Sequence, residues 1–232
     1  MMVLEATDLS KTYVGGDGGL LTVLDGVRLE VARGEMIAIV GTSGAGKSTL
    51  LNLLGALDAP TRGEVRIDGQ SLAGLDDGAL SRLRNARIGF VFQFHHLLRE
   101  FSALENVMMP MRVAGRSIVA ARARATDLLG RVGLTDRMHH RPAALSGGEQ
   151  QRTAVARALA MEPALLLADE PSGNLDHFNS EKLHDLLSSL ARNFSIAMVV
   201  VTHNRLLAAR ADRVLLLEDG VLRPTELPEA LV

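Results

Sequence analysis

Gly41-Thr42-Ser43-Gly44-Ala45-Gly46-Lys47-Ser48 is the stretch on which the fold turns. It matches the phosphate-binding pattern G-x-x-x-x-G-K-[ST]. The apolar run Glu35–Val40 before it reads as a buried strand, and Lys47–Leu54 after it reads as a helix. A strand that ends in a glycine-rich turn and continues as a helix offers an anion backbone N–H groups and a favourable dipole. In that setting Lys47 is expected to reach the β- and γ-phosphates of a nucleotide and Ser48 to ligate Mg²⁺, with Thr49 counted in the binding loop. An ordinary strand-to-helix turn would account for the glycines, but not for Lys47 and Ser48 in register.

A second segment supplies what the loop lacks. Leu165-Leu166-Leu167-Ala168 is an apolar strand that ends in Asp169 and Glu170. Sheets of α/β proteins place ligands at the carboxyl ends of their strands. Asp169 is therefore expected to hold Mg²⁺, directly or through water, and Glu170 to act on the attacking water as general base or positioning group. Two acids after a strand are on their own a common way to begin a loop. Beside a phosphate loop they become a candidate site.

Working outward, Val3–Leu9 and Val23–Val31 flank the glycine-rich Val14–Leu20 and read as an antiparallel hairpin or meander. Further strands are expected at Glu64–Ile67, Ile88–Phe92 and Ala197–Thr202, with Arg213–Glu218 as the last. Helices are expected at Gly147–Ala160 and Ser180–Leu190. From Ser102 to Arg137 the pattern is helical, with Ile118, Ala121, Ala125, Leu128, Leu129 and Val132 at three- and four-residue spacing. Arg116, Arg122, Arg124 and Arg131 read as its solvated face. The alternation implies an α/β fold: a mostly parallel sheet core, an antiparallel β part, and a helical subdomain at about 94–145 inserted in one domain, 1–232.

Composition narrows the function classes. The 232 residues include no cysteine, which excludes disulfides and thiolate metal sites, and the histidines lack metal-ligand spacing. A net charge of −2 gives no basic footprint, so no nucleic-acid partner is expected. Met1–Ser10 lacks a signal pattern, and runs such as Ile196–Val201 are far too short to span a bilayer. A cytoplasmic chain that meets a membrane only through a partner is the expectation.

Leu145-Ser146-Gly147-Gly148-Glu149 could be a helix start, since Ser146 and Glu149 fit a capping box. A cap does not need the two glycines, which weaken a first turn but admit an anion to the backbone. Followed by Gln150-Gln151-Arg152, the segment closely resembles the signature of ABC transporter ATP-binding subunits, and the resemblance runs along nearly the whole chain. It implies a P-loop NTPase that binds ATP and Mg²⁺ as a homodimer closing on two nucleotides. It further implies that Gln93 senses Mg²⁺ and water, that Ser172–Asp176 is the loop crossing the dimer interface, and that His203 contacts the γ-phosphate. Tyr13 would stack on adenine, and Ser146, Gly147, Gly148 and Glu149 of one copy would close over the phosphates of the other. The motor output would pass to transmembrane permease subunits. The run Phe94-His95-His96-Leu97-Leu98, then Phe101–Val107 and Pro110, resembles the group that serves lipoprotein release, MacB-like efflux and FtsE-like systems, although Arg99-Glu100 departs from its pattern. Lipoprotein release with LolC/LolE-like permeases, at the cytoplasmic face of a bacterial inner membrane, is the leading expectation. Efflux or an FtsE-like role is the alternative. A soluble ABC ATPase of DNA maintenance is disfavoured, because Gln93 and Ser146 stand too close for a long coiled-coil insertion.

Overall fold

The computed structural model describes residues 1–16 and 18–226. Its centre is a six-stranded sheet in the order β10-β9-β3-β8-β7-β6, built from β3 (Met36–Val40), β6 (Ile88–Phe92), β7 (Leu165–Asp169), β8 (Ala197–Val201), β9 (Arg213–Glu218) and β10 (Val221–Pro224). All pairings are parallel except β9 with β10 at the edge. The continuous apolar runs follow from burial on both faces. Every residue of β3 and of β8 is buried.

Alternate residues of these strands feed two cores. Met36, Leu166, Ala168, Met198 and Val200 join a cluster with helices α3 (Ala103–Val113), α4 (Ile118–Arg131), α5 (Gly147–Ala158) and α6 (His177–Phe194). Ile37, Ile39, Leu165, Leu167, Val199 and Val201 face the other way, toward helix α1 (Lys47–Leu54) and a four-stranded antiparallel sheet. That second sheet has the order β2-β1-β4-β5, from β1 (Met2–Val14), β2 (Leu20–Ala32), β4 (Arg62–Ile67) and the short β5 (Gln70–Ser71). A buried Leu, Ile or Val contributes about 1.5–3 kcal/mol. Placing the period-two sides of one sheet in separate cores fixes its register, since a one-residue slip would exchange them.

Besides the short strand Gln70–Ser71 and a short helix at Arg205–Ala208, two further elements differ from the sequence reading. Arg213–Glu218 is not the last strand, because Asp219 (φ 49) and Gly220 (φ 75) turn the chain back into β10. Helix α2 (Asp77–Arg87) gave no apolar pattern, because Leu83 is its one buried residue. It is set instead by its cap, with Asp76 Oδ1 accepting from Ala79 N at 2.6 Å. Between β6 and β7 run α3, α4, short 3-10 turns at Thr135–Arg137 and Pro142–Ala144, and α5.

Candidate active site

The buried β3 delivers Gly41 to the carboxyl edge of the sheet, where only glycine fits. At φ 154 a Cβ would stand 2.4 Å from the Leu217 carbonyl oxygen. The loop ends at Gly46 (φ 97), the N-cap of α1, where a Cβ would meet Val23 Cγ1 at 2.8 Å. The chain between them is thus held against the sheet and β2. Lys47 Nζ folds over this loop and donates to the carbonyls of Gly41 and Thr42, both at 2.8 Å. Ser48 Oγ donates to Asp169 Oδ2 at 2.9 Å, which joins the start of α1 to the end of β7.

Glu170 follows with φ 44, a left-handed setting rare for a residue with a Cβ. Its amide donates to Val201 O at 2.9 Å. Its carboxylate takes three groups from the chain after β8. Oε1 accepts from the His203 amide at 2.9 Å and lies 2.8 Å from His203 Nδ1, while Oε2 accepts from Thr202 Oγ1 at 3.2 Å. The Glu170 side chain is 15% exposed and that of His203 62%. The acid is held from behind and the imidazole stands in the open.

Gln93, just past β6, is tied reciprocally to Asn174. Its amide donates to Asn174 Oδ1 at 3.1 Å, and Asn174 Nδ2 donates to Gln93 O at 3.2 Å. Tyr13 lies at the far side of the loop and donates to Asp58 Oδ2 at 3.0 Å. Burial alone would raise the Asp58 carboxyl, but hydrogen bonds from Lys11, Tyr13 and the Ala59 amide outweigh it and hold it below its ordinary value. One cavity of about 770 Å³ collects Tyr13, Gly41, Ser43, Gly44, Gly46, Lys47, Ser48, Thr49, Gln93, Asp169, Glu170 and His203. Thr42 and Ala45 belong to the same loop but do not line it.

Ser146, Gly147, Gly148, Glu149 and Asp176 are not among the residues around that cavity. Ser146 caps α5: its Oγ accepts from Glu149 N at 3.3 Å, and Glu149 Oε2 accepts from Ser146 N at 2.8 Å. The Ser146 amide bond, with Arg137 adding its own, holds the Glu149 carboxyl below its ordinary value despite partial burial. Asp176 caps α6 with its own carboxylate alone, accepting from Asn179 N at 2.9 Å and Asn179 Nδ2 at 2.7 Å. Gly148 has a packing reason that the sequence reading did not see. A Cβ there would stand 2.7 Å from Asn179 Oδ1. A Cβ on Gly147 would meet nothing nearer than Leu175 Cδ2 at 3.8 Å, so Gly147 keeps an open N-terminal backbone.

Asn174, Thr202 and Asn179 were missed from sequence. Only Asn174 had a local signal, as the Asn of Gly173-Asn174-Leu175 within an already suspected loop. A further tie also emerged: Gln151 donates to Phe92 O at 2.9 Å, and Arg157 donates to His95 O and His96 O at 2.9 and 2.8 Å. Helix α5 therefore grips the segment that follows Gln93.

The arrangement suits a nucleotide: a backbone cradle with one lysine, a hydroxyl and a carboxylate in contact, and a second carboxylate aimed from behind. Hard oxygen donors such as Ser48 and Asp169 match Mg²⁺. The chain as a whole is similar to known proteins. A family profile described as "ABC transporter" matches residues 24–173. The "Lipoprotein-releasing system ATP-binding protein LolD" of Geobacter metallireducens is 54% identical over 218 residues, covering 94% of this chain and 96% of that one. Its namesake in Xylella fastidiosa (strain Temecula1) is 54% identical over 222 residues, covering 95% and 92%. Among solved structures, the dimeric post-hydrolysis ATP-binding cassette MJ0796 bound to ADP and Pi superposes with a TM-score of 0.88 at 40% identity, covering 97% of this chain and 99% of that one.

Proposed function

Since this chain belongs to the ABC transporter family, we propose that it is the ATP-hydrolysing subunit of a system that releases lipoproteins from a bacterial inner membrane. The carrying observation is the shared cavity, in which Gly41, Ser43, Gly44 and residues 46–49 of the loop meet Asp169, Glu170, Gln93 and His203. The substrate assignment is supported by relatives more than 50% identical whose names specify lipoprotein release.

ATP enters with its phosphates against the loop, and Lys47 exchanges its carbonyl contacts for the β- and γ-oxygens. Ser48, Asp169 and Gln93 would hold Mg²⁺, which would neutralise negative charge on the phosphates. Glu170, braced by Thr202 and the His203 amide, aligns the attacking water and accepts its proton. His203 faces the transferred phosphoryl group, and Tyr13 stacks on the base.

Half of the site is still missing within one chain. Ser146 caps a helix that does not line the cavity. A second copy is therefore needed to bring Ser146, Gly147 and Gly148 onto the γ-phosphate, closing a homodimer through loops such as the one ending at Asp176. No helix among the described residues is long and apolar enough to cross a membrane. The motion must pass to LolC/LolE-like permeases, with this chain peripheral at the cytoplasmic face and the helical segment at about 94–145 next to them.

Two measurements test this. Mixing Lys47→Ala with Ser146→Arg subunits should restore turnover above either variant alone, because half of the mixed dimers' sites regain both parts. No recovery would remove the composite site. Trapping Glu170→Gln with ATP and Mg²⁺ in solubilised native membranes should co-purify permeases that carry lipoproteins. Recovery of efflux or division partners would redirect the pathway and leave the ATPase intact.

A further inference from the structure

Helix α6 carries a histidine that the reaction above does not use. His184 is fully buried, and its Nε2 lies 2.9 Å from the Ser172 hydroxyl. Its Nδ1 meets no polar group among the described residues, so the contact with Ser172 is the ring's one protein hydrogen bond. Burial, reinforced by the nearby Arg210 charge, pushes the imidazole down to about 4, so the ring is neutral at cellular pH. Neutral imidazole can give or take one hydrogen bond at Nε2, as a hydroxyl can.

Ser172 is the interior anchor of the loop between Glu170 and Asp176. It is 5% exposed. Its neighbours close two successive turns, with Gly173 N donating to Glu170 O at 3.0 Å and Leu175 N to Ser172 O at 3.1 Å. The first turn begins at the strained Glu170, and the second ends next to Asp176, the cap of α6. Asn174 in between holds Gln93. Ser172 and His184 also border a cavity of about 220 Å³ whose other walls include Glu170 and His203. Such free space behind a strained loop leaves it room to shift unless something pins it.

We propose that His184 is a positioning residue for ATP turnover, fixing through Ser172 the loop that carries Glu170 at one end and Asp176 at the other. The proposal rests on the ATPase reading. A residue that acts only on alignment should change kcat and spare nucleotide affinity.

The test uses the purified chain. Ser172→Ala and His184→Leu should each lower kcat about tenfold, with the KM for ATP within about twofold. The double variant should be no slower than either single one, because both remove the same contact. His184→Gln carries an amide nitrogen near the position of Nε2 and should recover most of the rate. Hydrogen exchange should rise across residues 170–176 in the leucine and alanine variants, and not in His184→Gln. Undiminished kcat, additive losses, losses confined to KM, or a glutamine variant as slow as the leucine one would each overturn the proposal. If His184→Leu fails to fold, Ser172→Ala decides alone, since it removes a single hydroxyl. A wild-type chain without ATPase activity would instead remove the functional reading on which the proposal stands.

Discussion

Glu170 is held in a left-handed backbone setting, which costs a residue with a Cβ about 1–3 kcal/mol. The strain persists because its amide and both carboxylate oxygens are spoken for by Val201, Thr202 and His203. Glu170→Gln retains the shape and loses the carboxylate proposed as the base. Turnover should fall by about 10²–10⁴-fold with ATP binding intact, checked by phosphate release and nucleotide titration. Full-rate hydrolysis would remove Glu170 from its role. His184 gives a pH signature at the same scale. Unfolded, its ring takes a proton near 6.5; folded, only near 4. Between these values the unfolded state binds more protons, so stability is lost as pH falls, on the order of 3 kcal/mol over the window. In acid melts from pH 7 to 4, His184→Leu should show a shallower loss than wild type, and parallel curves would contradict the burial argument. The candidate site residues could be read because each sits in a short pattern: lysine and serine after glycines, two acids at the end of an apolar strand. Asn174 and His184 were not, because their partners Gln93 and Ser172 come from other parts of the chain and no local pattern pairs them.

At the level of elements, caps place the site more than helix propensity does. Helix α5 begins at Ser146 and helix α6 at Asp176, and the first turn of one packs against that of the other through Gly148 and Asn179. The two glycines of the signature segment then separate by role. Gly148→Ala must displace Asn179 and should cost about 1–3 kcal/mol, with part of the loss returned by adding Asn179→Ala. Gly147→Ala has room on the protein side, so its melting should stay within about 0.5 kcal/mol of wild type while ATP turnover drops. Thermal melts and hydrolysis on the same preparations separate them, and equal destabilisation would mean that both glycines serve packing. Apolar periodicity revealed α4 and the buried strands, but not α2, whose single buried leucine leaves no period to read. The last strand was missed although Asp219-Gly220 is a recognised hairpin turn, because Val221–Pro224 is only four residues long and ends in proline.

For the whole molecule, the question is how events at the phosphate loop reach another protein. Phe94, Leu98 and Phe101 are exposed at 63%, 42% and 38% on the segment after Gln93, and that segment is not loose. Buried Asn106 accepts from Leu98 N at 2.8 Å and donates to Leu98 O, Phe101 O and Ser102 O at 3.1, 3.0 and 3.0 Å. Arg157 holds the carbonyls of His95 and His96 from α5, whose other end is capped by Ser146. A pinned backbone presenting apolar side chains to solvent suits the contact surface proposed for the permeases, and it is linked at one end to Gln93 and through α5 to the signature segment. Rigid connection predicts separable effects. Phe94→Ala and Leu98→Ala remove contact area without touching the pins, so basal turnover of the isolated chain should stay within about twofold. Lipoprotein release by the assembled transporter should fall about tenfold, since a few truncated anchors can remove most of an interface's energy. Asn106→Ala should do both kinds of damage, because it frees the backbone and orphans buried carbonyls. Comparing basal with transporter-coupled turnover across the three variants settles the assignment. If Phe94→Ala or Leu98→Ala lowered both rates alike, these side chains would be supporting the nucleotide site itself, and the exposed patch would lose its claim to be where the motion leaves the molecule.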